Sequence, residues 1–267
     1  MSENYTSFRE LLAQSAERRE QEIEERIKAF CRETGIAYVP KGLSADSARQ
    51  ALEGKYVAYT ERKAEEERVR LEKAESERKE AQRQIEIAYL MRELSEMVPD
   101  RYKGAKLSDF KDSAQKKAIT SGSSALILGN NSTGKTRFKW ALCDHWASLG
   151  ENFVVVKAQK LLSDIKRQDD PYEYIERTYG KTVAHLVVDE GDKIFESKAD
   201  FVYLNYLFDY RYEWMLQSLF IGNGDAEAFI ATLGQSIFAR LAGEGGVCLV
   251  LKGKDWRFPD RAENRPI

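Results

Sequence analysis

The sequence predicts an α/β fold, a parallel five-stranded sheet covered by helices and preceded by an all-helical region. Two observations carry this. From Ser121 onward, short apolar runs alternate with helical patterns, and such alternation builds β-α-β crossovers around a parallel sheet buried on both faces. Before Val98 there is no such alternation, only polar sequence with apolar residues at helical spacing. The 267 residues suit one core domain plus an appendage, and they divide on this reading into 1–97 and 98–267.

In the first region, Phe8, Leu11, Ile23, Ile27 and Phe30 fall at helical spacings, and Gly35 to Gly42, with Pro40, ends that helix. A second helical run starts near Ser44 and reaches Met97. Its middle, Glu61 to Arg83, is almost wholly charged or small, with Glu66–Arg70 and Glu75–Lys79 at i,i+4. Ala64, Val69, Leu71 and Ala74 are too sparse for a coiled-coil seam, so a solvated spacer helix is expected there, the alternative being a surface used by a protein partner. Val98-Pro99-Asp100 ends the run.

In the second region the expected strands are Ser124–Gly129, Asn152–Lys157, His185–Asp189, Ser218–Ile221 and Gly246–Leu251. The expected helices are Lys135–Leu149, Ala158–Lys166, Ala199–Met215 and Ala226–Leu241. Tyr203, Leu207, Tyr210 and Trp214 share one face of the third of these, flanked by Leu204 and Phe208, and are expected to pack on the sheet.

Composition excludes several classes. Lys and Arg number 42 and Asp and Glu 44, a net charge of -2, so any grip on nucleic acid must come from local patches. Lys157, Lys160, Lys166 and Arg167 form one such cluster, which reads equally well as solvated helix charge or as a contact for single-stranded DNA. No apolar stretch is long enough to cross a bilayer, and Met1-Ser-Glu-Asn-Tyr lacks the basic-then-apolar pattern of a secretory signal, so a cytoplasmic location is expected. Cys31, Cys143 and Cys248 lie far apart and read as reduced thiols. His145 and His185 are isolated from other ligand types.

The residues that carry chemistry begin with Gly129-Asn130-Asn131-Ser132-Thr133-Gly134-Lys135-Thr136, a G-x-x-x-x-G-K-T loop between an apolar strand and an amphipathic helix. The glycines let successive backbone N–H groups face one point, where an anion can sit at the positive end of the following helix. This Walker A loop, with the adjoining Arg137, is the expected nucleotide-binding segment, with ATP as the ligand. Lys135 would reach the β- and γ-phosphates, and the Thr136 hydroxyl would coordinate Mg²⁺.

Ala184-His185-Leu186-Val187-Val188-Asp189-Glu190 is a buried strand ending in two carboxylates. Strands of open α/β sheets present their carboxyl ends to the ligand, so Asp189 is expected beside the loop after the first strand, holding Mg²⁺ directly or through water. Glu190 is the expected base for the attacking water. The next strand ends in Asn223-Gly224-Asp225; Asn223 at the same sheet edge can bond the water or the γ-phosphate. Alone, an N-G-D run is simply a turn.

Taken in order, Gly129–Thr136, Leu186–Glu190, Tyr210-Arg211, Asn223, Leu233-Gly234, Ala239-Arg240-Leu241 and Leu251 to Arg257 resemble AAA+ ATPases. More narrowly they resemble the DnaC/DnaI-type bacterial helicase loaders and the related IstB-type transposition helpers. The likeness covers roughly residues 99–260 and does not extend into the amino-terminal helices. The loop's Asn130-Asn131-Ser132-Thr133 and the Gly191-Asp192 after the carboxylates depart from the usual pattern.

The resemblance implies that Arg240 is a finger reaching the γ-phosphate held by a neighbouring subunit, so that the chain self-associates through its ATP sites. It implies that Arg257 is a second sensor arginine. It also implies a helicase loader acting in DNA replication on single-stranded DNA, with the helices of residues 1–97 docking on a replicative helicase. The alternatives are a transposition helper on double-stranded DNA and a nucleotide-gated adaptor with little turnover.

Overall fold

The computed structural model describes residues 8–41, 46–193 and 198–252. The chain divides into two compact units, residues 1–80 and 81–267. The helices are α1 (Phe8–Thr34), α2 (Asp46–Met97), α3 (Ala114–Thr120), α4 (Lys135–Leu149), α5 (Ala158–Lys166), α6 (Pro171–Tyr179), α7 (Lys198–Glu213) and α8 (Ala226–Ala242). The strands are β1 (Ala125–Leu128), β2 (Phe153–Lys157), β3 (His185–Asp189), β4 (Gln217–Ile221) and β5 (Val247–Val250).

The first unit holds α1 and the first part of α2. Ile27, Phe30, Cys31 and Leu52 form a small buried cluster. Phe30 packs against the rings of Tyr56 and Tyr59 at 5.6 and 4.9 Å. Arg49 clamps this cluster: it donates to Glu24 at 2.6 Å, Glu53 at 2.7 Å and the Val39 carbonyl at 2.7 Å. The middle of α2 is solvated as expected, with Val69 and Leu71 exposed. Glu75 pairs with Lys79 at 2.6 Å, but Glu66 pairs with Arg62 rather than with Arg70.

In the second unit the sheet order is β5-β1-β4-β3-β2, and every pairing is parallel. β4 lies between β1 and β3, so Asp189 is two strands from the end of β1. Both faces are buried, which is why the strands read as continuous apolar runs. Alternation sends Leu126, Leu128, Leu186, Val188 and Phe220 into one layer under α5, α6, α7 and α8. Ala125, Ile127, Val187, Leu219 and Ile221 enter the other layer with α3, α4 and the end of α2, through Ile119, Trp146 and Leu94. Each such side chain contributes roughly 1.5–3 kcal/mol on burial.

α3 and α6 were not anticipated. Ser113 caps α3 by accepting from Lys116 N, and Asp170 caps α6 by accepting from Tyr172 N and Glu173 N, with Pro171 at the first position. α8 is not one continuous helix, because Gly234 adopts φ 84°, ψ 158° inside it.

The expected sheet-facing stripe of α7 is corrected. Leu204, Leu207, Phe208 and Arg211 face the core, whereas Trp214 is 50% exposed. Tyr203 and Tyr206 pack on Tyr172 of α6, at 6.0 and 4.7 Å. Arg211, fully buried, donates to Ser218 Oγ (2.9 Å) and to the carbonyls of Tyr179 (2.6 Å), Val183 (3.0 Å), Ala184 (3.2 Å) and Gln217 (2.6 Å). That ring of acceptors binds the α6–β3 connection to β4. With no carboxylate among them, burial pushes the guanidinium down to about 10.

Candidate functional site

The loop after β1 turns through left-handed backbone at Gly129 (φ 147°), Ser132 (φ 68°) and Gly134 (φ 98°) and enters α4 at Lys135. Gly129 has no alternative: a Cβ there would lie 2.5 Å from the Leu251 carbonyl oxygen and 2.8 Å from Thr133 Oγ1. Lys135 folds back over the loop, donating to the Gly129 and Asn130 carbonyls at 2.6 and 2.7 Å and to Asn223 Oδ1 at 2.9 Å. Burial holds its pKa below the ordinary lysine value.

β3 and β4 deliver the remaining groups to the same edge. Asn131, Ser132, Gly134, Lys135, Thr136 and Arg137 line one cleft of about 330 Å³ with Asp189, Glu190, Asp192 and Asn223. That is the lower part of the range typical of small-molecule sites. Three strand ends therefore bring a lysine, three carboxylates and an amide together, as the spacing predicted for all but Asp192. Gly129, Asn130 and Thr133 shape the loop from behind, with Thr133 Oγ1 donating to the Asn130 carbonyl at 3.0 Å.

The carboxylates are held differently. Asp189 Oδ2 accepts Lys139 Nζ at 2.5 Å, and its Oδ1 accepts the Glu190 N–H at 2.9 Å. Lys139, on α4 one turn beyond Lys135, is a buried cation that sequence reasoning missed. The side chains of this pair are only 7% and 14% exposed. Glu190 has left-handed backbone (φ 57°), a strained conformation for a residue with a side chain. Its Oε1 meets Lys157 Nζ from the end of β2 at 2.8 Å, and Glu190 raises the Lys157 pKa.

Asn223 is fixed in a way the sequence did not anticipate. Its Nδ2 donates to Asp192 Oδ2 at 2.8 Å and its backbone N–H to Asp192 Oδ1 at 3.1 Å. Its carbonyl, not its amide nitrogen, faces Lys135.

Other predicted residues lie apart or are tied elsewhere. Arg137 pairs with Asp109 at 2.6 Å while lining the cleft. Arg240 is at the opposite end of the sheet, beside Ser123 and Gly245, where it pairs with Asp209 and donates to the Ser236 carbonyl. Arg257 lies outside the described residues. Of the proposed DNA-contacting cluster, Lys160 pairs with Asp164 and Lys166 with Asp200. Arg101 and Tyr102, from a 3-10 turn at Asp100–Tyr102, complete the cleft rim and were also missed.

Away from the cleft, His185 stacks on Trp146 with ring centroids 4.3 Å apart. Its nitrogens meet Gln217 Oε1 at 2.6 Å and Glu151 Oε2 at 2.9 Å. Cys31, Cys143 and Cys248 are free thiols, and burial pushes Cys143 up to about 12. Among the described residues no helix is long and apolar enough to cross a membrane.

No protein-family model matches the chain, and no curated protein matches it in sequence. Several solved structures are similar. The DnaC helicase loader matches over 58% of this chain and 100% of that chain, at 19% identity and a TM-score of 0.45. DnaI matches over 60% of this chain and 94% of that chain, at 20% identity and a TM-score of 0.47. The AMPPCP-bound DnaA of Aquifex aeolicus matches over 55% of this chain and 50% of that chain, at 14% identity and a TM-score of 0.42. These likenesses are remote.

Proposed function

We propose that the chain is an ATPase of the AAA+ kind that binds ATP at Gly129–Arg137 and hydrolyses it with Glu190. The observation that carries this is the meeting of Lys135, Thr136, Asp189, Glu190 and Asn223 in one cleft at the carboxyl edge of a parallel sheet. The loop N–H groups and the start of α4 take the phosphates. Lys135 exchanges its loop carbonyls for phosphate oxygens, and the rim pair Arg101 and Tyr102 offers a cation and an aromatic face for the base.

The cleft suits Mg²⁺. Thr136, Asp189, Glu190 and Asp192 present only oxygen donors, as a hard cation requires. Among the described residues no cluster of three or more His, Cys, Asp or Glu side chains forms a metal cage. One or two protein oxygens plus substrate phosphates is the ordinary arrangement for this ion. Thr136 and Asp189 are the residues that would hold it. Held there, such an ion would supply neutralisation of the triphosphate's charge. Glu190 orients the attacking water and takes its proton after leaving Lys157.

Arg240 cannot reach the cleft of its own chain from the opposite end of the sheet. That supports the reading in which it completes the site of a second copy, so that hydrolysis requires self-association. An arginine supplied this way is worth about 10³–10⁵ in rate in other phosphoryl-transfer systems.

The cellular role follows from the motif resemblance. The chain is read as a helicase loader acting in DNA replication. Residues 1–97 are its partner-binding arm, residues 98–267 its ATPase domain, and single-stranded DNA its nucleic-acid ligand. Association of the full chain with its host's replicative helicase tests this, and DNA-stimulated assembly without any helicase would contradict it.

One observation favours a second reading, an adaptor with little turnover. Glu190, the expected base, is paired with Lys157 at 2.8 Å, a contact that must break before the carboxylate can meet a water. Glu190→Gln decides between them. In an ATPase it retains ATP binding and stops phosphate release; in an adaptor the already low release is unchanged.

A further inference from the structure

Asp192 is a third carboxylate in a cleft whose hydrolytic chemistry uses two. Its place is set by close packing: a Cβ on Gly191 would lie 1.8 Å from Phe220 Cε1, so the chain after Glu190 lies directly on the Phe220 ring. That path brings Asp192 under the end of β4, where both of its oxygens accept from Asn223, at 2.8 and 3.1 Å.

An ionised carboxylate only accepts and an ammonium only donates. Asn223, between Asp192 and Lys135, therefore has one amide orientation, with its nitrogen toward Asp192 and its oxygen toward Lys135. The three acceptors of Lys135 are then the Gly129 carbonyl, the Asn130 carbonyl and Asn223 Oδ1, one for each ammonium proton. Two belong to the loop. The third lies at the tip of β4, on the side of the cleft shared with Glu190, where the terminal phosphoryl group must sit for Glu190 to act on it.

We infer that Asp192 is a positioning residue that sets Asn223 as the acceptor of Lys135, so that this relay competes with the terminal phosphate for the lysine. The inference rests on the triphosphate reading above. The relay weakens ATP relative to ADP, because a diphosphate held by the loop leaves the Asn223 arm of the lysine undisturbed. It also explains why an acidic residue is tolerated next to an anion site: its charge is spent on orienting an amide.

The test is a double-mutant cycle read as the ratio of ATP to ADP affinity, measured by calorimetry on the full chain in wild type, Asp192→Ala, Asn223→Ala and the double variant. Asp192→Ala is expected to raise the ratio roughly three- to tenfold, below the usual range for a charge-assisted hydrogen bond because Asp192 is exposed. In the Asn223→Ala background the same substitution is expected to change nothing. An equal rise in both backgrounds would mean that Asp192 acts only as a nearby charge, and overturns the inference. So does an unchanged ratio. If Asp192→Ala does not fold, Asp192→Asn keeps the shape, cannot accept at both positions, and enters the same cycle. Wild type that binds neither nucleotide overturns the triphosphate reading itself and the inference with it, whereas binding by wild type without the cycle's coupling overturns the inference alone.

Discussion

Replacing Lys139 with methionine keeps the volume of a buried side chain and removes the cation from Asp189. The pair is 2.5 Å long, and its side chains are 7% and 14% exposed. Stripping one partner from a buried pair costs about 3–5 kcal/mol, because the other charge is left uncompensated. Here the cost falls near 3 kcal/mol, since Asp189 borders the cleft and keeps the Glu190 N–H. For a domain of this size each kcal/mol moves the melting temperature by roughly 2–4 °C, so Lys139→Met is expected to melt about 6–12 °C below wild type. Two further melts separate the cause from general damage. Adding Asp189→Asn should recover most of the loss by removing the stranded charge. Millimolar Mg²⁺ without nucleotide should stabilise Lys139→Met and leave wild type unmoved. Melting at the wild-type temperature, or no recovery in the double variant, would refute the claim that this lysine compensates the metal-site aspartate.

Other perturbations act on the frame, the partner copy and the titratable core. Arg211→Ala leaves five carbonyls around an empty space and is expected to cost about 3 kcal/mol after relief of the guanidinium's own desolvation, with Arg211→Lys only partly better. Equal urea midpoints for the three proteins would contradict that. Arg240→Ala should bind ATP normally and lose turnover, and mixing it with Lys135→Ala should restore some phosphate release through hybrid interfaces; activity that mixing never rescues would place Arg240 elsewhere. Burial holds the His185 pKa below its ordinary value of about 6.5. The folded state then binds fewer protons than the unfolded one, and stability is lost as pH falls from that value toward the folded pKa. His185→Gln should flatten this part of the curve, and an unchanged slope would exclude His185 as its source.

The sheet and the phosphate loop were legible because both faces of a parallel sheet are buried and because the loop's chemistry admits few residue types. β3, α4 and α5 have the bounds the sequence predicted. Asp170 followed by Pro171 was a readable start signal for α6 that the apolar pattern overshadowed. Arg211 misled the reading of α7, because a buried arginine occupies a core position that periodicity assigns to apolar residues. The roles of Lys139 and Asp192 were not legible for a different reason. Their partners are 50 and 31 residues away in sequence, so only the folded strand order shows what each charge does. The orientation of Asn223 could not be read from sequence for the same reason.

Calorimetric titration of the full chain with Mg²⁺ and a non-hydrolysable ATP analogue, set against Lys135→Ala, tests the central claim most directly. The account predicts saturable binding by wild type and its loss in the variant, because Lys135 is the only lysine among the described residues that line the cleft. Equal binding by the two proteins, or none by wild type at millimolar ligand, would contradict it.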